Sequence, residues 1–458
     1  MKRRGLFGLL VLVIAALALL AAGCGGGDDG DADGDNGEAR TGDVQPLPAS
    51  SCQGLEFEGE GEPDALIVSD LPMQGSSRKQ TVQMTKAIRF ILNERGWKAG
   101  DLNIGYQVCD DATAQAGKWD SGKCSQNGQA YASNQSVIGI IGTFNSGCAQ
   151  IIIPIANQAP GGGLAMVSPA NTLVCLTEGG PGCDDTEPDK YYPSGERNYV
   201  RVVAHDIYQG AAVAEFAQSQ GVKRMFILND KESYGLGVAE RLRNALSAVD
   251  IEVAGFAAWD PKASSYEALM RQIRQSGADG IFLGGLIDEN GGQVIKDKVA
   301  VLGPNDGDVK LFAPDGFTTQ ATIDEAGVEN ARGGFFSVAG VPTEELTGAG
   351  EEFIQNFQEE LGDEPVDPYA AYAAQAAVVL LDAIEAAGGA DRAAIIENLF
   401  ETQVEEGILG TFEISESGDP ARAGGAVVGF TIYRAEEELV PERVVSPKEE
   451  TVEAARGG

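Results

Sequence analysis

The stretch SVIGIIGTFNSGCAQIIIPIANQAPGGGLAMVS, residues 136–168, reads as a strand, a polar turn, a helix, a glycine turn and a second short strand. The apolar run through Ile141 is short and β-branched and ends in turn residues, which favours a buried strand. CAQIIIPIANQ has the length and spacing of a helix, and GLAMVS returns to strand. Between them stand Thr143, Phe144, Asn145, Ser146, Gly147 and Cys148. A strand that stops in such a turn presents a nucleophile, cradles a ligand, or is pinned by a disulfide.

The same alternation extends on both sides. ALIVSDL, LNIGYQV, NYVRVV, KRMFILND, IEVAGFAAW, DGIFLGG and VKLFAPD read as strands. SSRKQTVQMTKAIRFILNER, CSQNGQAYASN, QGAAVAEFAQSQ, GLGVAERLRNALSAV, SYEALMRQIRQSG and QVIKDKVAVLG read as helices. Repeated βα units with short apolar strands predict an α/β fold with parallel sheets covered by helices. The strands are too many for one comfortable sheet, so two doubly wound lobes are expected. Residues 176–197 form a turn-rich insertion. Towards the C-terminus TGAGEEFIQNFQEELG, DPYAAYAAQAAVVLLDAIEAAGG and DRAAIIENLF read as helices, the last started by Asp391, and TFEIS and AVVGFTIYR as strands. No short internal repeat is visible, and nothing after the N-terminal apolar stretch is expected to span a membrane.

The chain has 458 residues, 43% of them apolar and 22% charged, enough for two or three domains with full cores. Its formal charge of −36 speaks against nucleic acid, whose phosphates need clustered Lys and Arg. MKRRGLFGLLVLVIAALALLAAGC combines a basic start, an apolar stretch from Leu6 to Ala22 and small residues before Cys24, the pattern of a secretory signal. An uncleaved anchor is the alternative, since the run is near bilayer length. Ala21-Ala22-Gly23-Cys24 resembles a bacterial lipobox, with Ala21 where leucine is commoner. The resemblance implies cleavage after residue 23 and diacylation of Cys24. Residues 24–63 start glycine-rich and acidic, and are expected to be a flexible tether. A lipid, a tether and a soluble body place the chain outside the cytoplasm, on the outer face of the cytoplasmic membrane. Six further cysteines, an even number in an exported chain, suggest disulfides with fifteen possible pairings. Spacing favours only Cys175–Cys183, joined by LTEGGPG.

Ligands of open α/β sheets bind outside the carboxyl ends of the strands. PMQGSSRKQ, IGTFNSGCAQ, SPANT, KESYGLG, LIDENGG and PDGFTTQ follow such ends. They are hydrogen-bonding loops suited to a small polar ligand. Catalysis fits poorly: His205 is the only histidine, so a Cys–His or Ser–His–Asp arrangement would depend on it alone, and no G-x-S-x-G occurs. A zinc site lacks paired cysteines and histidines, and no P-loop or dinucleotide fingerprint is present. DADGDNGEA lacks the flanking helices of a calcium loop. No metal or cofactor is expected.

IGTFNSGCAQ, MVSPANTLVCLT, NDKESYGLG, FLGG and FAPDGF, in this order and spacing, resemble the leucine/isoleucine/valine-binding proteins, amino-acid receptors of ABC importers. The resemblance covers about residues 64–437. It implies the type I periplasmic-binding fold, two lobes joined by three crossovers with the ligand between them. Lobe one is then 64–202 plus 341–410, lobe two 203–340 plus 411–437, and 438–458 a C-terminal tail, with His205 beside the first crossing. By the same resemblance Ser146 and Gly147 hold a ligand carboxylate at a helix start, where free N–H groups and the helix dipole favour an anion. Ala170 offers its backbone, Thr172 its hydroxyl and N–H, Asp315 an acceptor for an α-ammonium, and Tyr234 a packing surface. Capping is the competing role of Ser146 and Thr172, turn formation that of Asp315. Gln80 stands where many relatives carry an aromatic residue and Leu286 where some carry tyrosine, so these two positions are expected to shape the side-chain pocket. Met73 and Phe144 are read mainly as packing residues. The resemblance pairs Cys124 with Cys148 and leaves Cys52 for Cys109.

The expected protein is a membrane-anchored solute receptor, acting as a monomer, that closes on an amino acid (branched-chain or a related small zwitterion or amide) and docks on ABC permease subunits. It would catalyse no reaction. Its rivals are a sensing receptor of the same fold that feeds a membrane signalling partner, and a surface-anchored thiol hydrolase using Cys148.

Overall fold

The computed structural model describes residues 44–421 and 429–457; the signal segment and Cys24 lie outside them. Two large sheets organise the chain. The first has the strand order Lys98–Ala99, Leu102–Asp110, Ala65–Leu71, Val137–Gly142, Ala165–Ser168, Tyr199–Arg201. Apart from Lys98–Ala99, its strands run parallel. The second has the order Glu252–Ala258, Arg224–Asn229, Gly280–Gly284, Lys310–Ala313, Phe335–Ala339, Phe430–Ala435, Leu439–Val445. Its first five strands are parallel, Phe430–Ala435 runs antiparallel to them, and Leu439–Val445 runs antiparallel to Phe430–Ala435. In each sheet the first long strand is flanked by the second and the third, so the winding reverses there. That reversal opens a crevice at the carboxyl ends of Ala65–Leu71 and Val137–Gly142, and another at those of Arg224–Asn229 and Gly280–Gly284.

Ala65–Leu71 and Val137–Gly142 are buried along their whole length, as strands covered by helices on both faces must be. The chain crosses between the sheets three times. After Arg201 it enters helix Asp206–Ser219, which packs on helix Ser233–Ala245. After Ala339 it returns to helix Pro368–Ala387, which packs on helix Arg78–Glu94. After Ala421 it passes forward to Phe430–Ala435.

Helix Pro368–Ala387 begins where Asp367 accepts the Tyr369 N–H and Pro368 takes the first turn, and it ends at Gly388 in the left-handed region. At 20 residues and a mean hydropathy of 1.4 it is long and apolar enough to cross a membrane, contrary to the expectation for this part of the chain. It is 72% buried and is a core helix of the first lobe.

Three expected boundaries move. Residues 44–63 are not a free tether: Gln53 donates to the Val108 carbonyl at 2.7 Å, Glu56 and Tyr106 exchange backbone bonds at 2.9 Å, and Leu47 is buried. A disulfide from Cys52 to Cys109 fixes this segment against Leu102–Asp110. Residues 411–421 stay with the first lobe. There Gly410–Ile414 joins a small antiparallel sheet with Gln403–Gly407 and Pro420–Ala421. The Arg201 N–H donates to the Gly418 carbonyl at 2.9 Å, and the fully buried Arg201 guanidinium holds Asp419 at 2.6 Å. A buried cation needs its carboxylate, and that need delays the third crossing. The last segment is no tail. Leu439–Val445 is the outer strand of the second sheet, and helix Glu449–Arg456 buries Val452 and Ala455 against helices Asp206–Ser219 and Ser233–Ala245.

The other disulfides are Cys124–Cys148 and Cys175–Cys183. The first links helix Ser121–Ser133 to helix Ser146–Asn157, and the second closes the start of the insertion.

Candidate functional site

Both crevices open onto one small space between the lobes. Its first-lobe wall begins at the turn after Val137–Gly142. Asn145 precedes helix Ser146–Asn157 and places no side-chain cap on it, so the first N–H groups of this helix lack the partner that capping supplies. The Ser146 hydroxyl accepts the Leu173 N–H at 3.4 Å. Gly147 is required by crowding, since a Cβ there would lie 2.6 Å from the Trp119 ring. Phe144, Asn145, Ser146, Gly147, Ala170 and Trp119 all line the space. Ala170 donates its own N–H to Ser168 Oγ at 3.2 Å.

The second-lobe wall contains Glu232, Tyr234, Leu286, Asp315 and Gly316. Asp315 Oδ1 accepts the Tyr234 hydroxyl at 2.6 Å, and Oδ2 accepts the Tyr369 hydroxyl at 2.8 Å. Tyr369 belongs to the first lobe, so this carboxylate joins both walls. Burial pushes the Asp315 carboxyl up, while the hydroxyls of Tyr234 and Tyr369 and the Gln209 amide pull it back. Asp230 holds the loops behind this wall, accepting the N–H of Glu232 at 2.9 Å and of Leu286 at 3.0 Å. Burial raises its carboxyl to about 8.

The lobes also touch at the rim. Ser76 N–H and Ser77 hydroxyl donate to Asp288 at 2.9 and 2.5 Å, and the Ser76 hydroxyl also meets Glu325. Lys118 reaches Glu232 at 3.3 Å and contacts Glu289. These contacts describe lobes drawn together over the central space.

The cleft thus gathers Ser146, Gly147, Ala170, Tyr234, Leu286 and Asp315. Two expected residues stand elsewhere. Thr172 is buried beside Asp206, whose N–H donates to the Thr172 carbonyl at 2.9 Å, and it does not line the central space. Gln80 donates to Asp367 at 2.8 Å and faces a separate hollow with Lys79 and Tyr433. It steadies the start of the helix that carries Tyr369 and does not line the central space. Phe144, read mainly as a packing residue, does line the cleft, and its ring lies edge-on to Tyr369 with centroids 5.6 Å apart.

Trp119, Glu232 and Tyr369 escaped the sequence reading. Trp119 sits in a two-residue strand, Lys118–Trp119, paired with Ala112–Thr113. That hairpin follows the carboxyl end of Leu102–Asp110, so the rule that singled out the other loops points to it too. Cys148 is bonded to Cys124 and has no thiol to offer as a nucleophile. His205 stacks on Tyr208 at 4.9 Å and lies 3.7 Å from Glu178 beside the first crossing, a structural position.

The sequence model of the periplasmic binding protein family matches residues 75–431. The Leu/Ile/Val-binding protein homolog 1 of Brucella abortus (strain 2308) is 23% identical over 385 residues, covering 83% of this chain and 92% of its own. Among solved structures, the leucine-binding protein LivK of Thermotoga maritima has a TM-score of 0.70 at 22% identity, covering 84% of this chain and 99% of that one. The solute-binding protein of an ABC transporter from Rhodopseudomonas palustris HaA2, solved with p-hydroxybenzoic acid, has a TM-score of 0.68 at 15% identity, covering 84% and 98%. With most of its length inside the family match, the chain belongs to the periplasmic binding protein family and has its type I fold.

Proposed function

We propose that this protein is an extracytoplasmic solute receptor that binds an amino acid or a closely related small zwitterion between its lobes. One observation carries the reading: the helix start at Ser146 and the carboxylate of Asp315 line the same small space from opposite lobes. The amides of Ser146 and Gly147 with the positive end of their helix suit a carboxylate. Asp315, with one oxygen bonded from each lobe, suits an ammonium.

A ligand that touches both walls binds the closed form better than the open one and shifts the population towards it. The closed form then docks on ABC permease subunits, and lipid at Cys24 keeps the receptor near them. The names of LivK and of the Brucella relative, leucine-binding and Leu/Ile/Val-binding, support an amino acid as cargo. A second reading, an aromatic carboxylic acid, draws on the rings of Trp119 and Phe144 in the lining and on the p-hydroxybenzoic acid of the Rhodopseudomonas neighbour. Asp315 weighs against it, because such an acid brings no cation to a buried carboxylate.

A thermal-shift panel separates the two, since a ligand of the native state raises its apparent stability by mass action. Stabilisation by α-amino acids supports the receptor reading. Stabilisation by benzoate derivatives alone contradicts it.

A further inference from the structure

The charge of the cleft goes further than a simple zwitterion requires. Two acids line it, Asp315 and Glu232. Lys118 is shared between Glu232 and Glu289, so these three groups hold one negative charge in excess. Asp315 adds a second. The helix start at Ser146 offsets about half a charge. The buried acids Asp206 and Asp230 stand behind the walls and do not line the space. A neutral zwitterion therefore leaves the closed cleft between one and two positive charges short.

The walls suit what is missing. Trp119, Phe144 and Tyr234 surround the space with aromatic rings, and Leu286 adds an aliphatic surface. Aromatic faces attract cations, most strongly where water is excluded. Long cationic side chains lay their methylenes along apolar surface and carry the charge to a polar end. Glu232, 27% exposed on its side chain and at the lobe boundary, is such an end.

We infer that the preferred ligand is an α-amino acid with a second cationic group on its side chain, whose head is read by Glu232 while Asp315 takes the α-ammonium. This rests on the zwitterion reading above and narrows it to basic amino acids. Glu232 becomes a specificity-determining residue, and the Lys118 contact pre-positions its carboxylate at the rim.

The test uses isosteric pairs that differ in the side-chain ammonium: L-lysine against L-norleucine, and L-ornithine against L-norvaline, titrated calorimetrically into the wild-type protein. The inference expects the basic member of at least one pair to bind about tenfold tighter or more, a difference of ~1.4 kcal/mol. In Glu232→Gln that preference for the basic member should disappear. Glu232 makes no side-chain cap on its helix, and a thermal melt of the variant checks folding; should it unfold, the wild-type pairs alone decide. Equal or tighter binding of the alkyl members in both pairs overturns the inference and leaves the zwitterion reading standing. Failure of all four while L-leucine or L-glutamine binds has the same meaning. Failure of every α-amino acid removes both.

Discussion

At the scale of single residues, the account rests on Asp315. Its carboxylate is held by hydroxyls from both lobes, and Asp315→Ala removes a buried acceptor from the proposed ammonium site. By analogy with truncated buried ion pairs, affinity for an α-amino acid should fall by about 2–5 kcal/mol; calorimetry showing unchanged affinity would remove Asp315 from the site. Gly147→Ala tests the opposite wall. A Cβ 2.6 Å from the Trp119 ring forces the indole aside, so ligand binding should weaken at least tenfold, or about 1.4 kcal/mol, in a folded protein. Wild-type affinity in that variant would show that the ring placement is irrelevant. The loops that hold Asp315, Tyr234 and Ser146 were legible in the sequence because each follows a strand's carboxyl end, while the part assigned to each residue came from the resemblance to the leucine/isoleucine/valine-binding proteins. Gln80 was misread because sequence gives its position on a helix and not the Asp367 carboxylate that captures its amide. Trp119 was missed because two-residue strands leave no periodic signal.

At the scale of elements, the long strands and helices of both lobes followed from alternation and length. The boundaries that moved are set by single long-range contacts that periodicity does not record. The third crossing is the clearest case. Arg201 is fully buried and bonded to Asp419, Thr177 and the carbonyls of Asn171 and Leu173. Burial alone would raise the Asp419 carboxyl, but the Arg201 charge outweighs it and holds the group at about 2. Asp419→Ala strands a buried guanidinium and should cost about 3–5 kcal/mol of stability, as broken buried pairs do. Chemical denaturation checks this; a loss below about 1 kcal/mol would mean that water or a neighbour takes over the charge. Residues 44–63 teach the same point: their place against Leu102–Asp110 depends on Cys52–Cys109 and a few backbone bonds, features outside any local pattern.

At the scale of the whole molecule, stability should depend on pH in two opposite ways. Burial raises Asp70 to about 7 and Asp230 to about 8. Between about pH 4 and those values the folded chain holds protons that the unfolded chain has released, so stability falls as pH rises. Asp419 is depressed instead, and its contribution, present above about pH 4, is lost as pH falls towards 2. The net charge of −36 adds self-repulsion at high pH. Melting temperature should therefore peak at about pH 5 and decline towards pH 8.5. A melting temperature that rises from pH 5 to 8.5 would contradict the assignment of Asp70 and Asp230 as buried acids. The rim contacts of Asp288, Glu289 and Glu325 with Ser76, Ser77 and Lys118 fit the same picture of lobes that close over a ligand.

The most direct test of the central claim is to release and identify, by mass spectrometry, the small molecule that copurifies with the folded protein. The account predicts an α-amino acid, carrying both a carboxylate for the Ser146 helix start and an ammonium for Asp315. A nitrogen-free carboxylic acid in its place would contradict it.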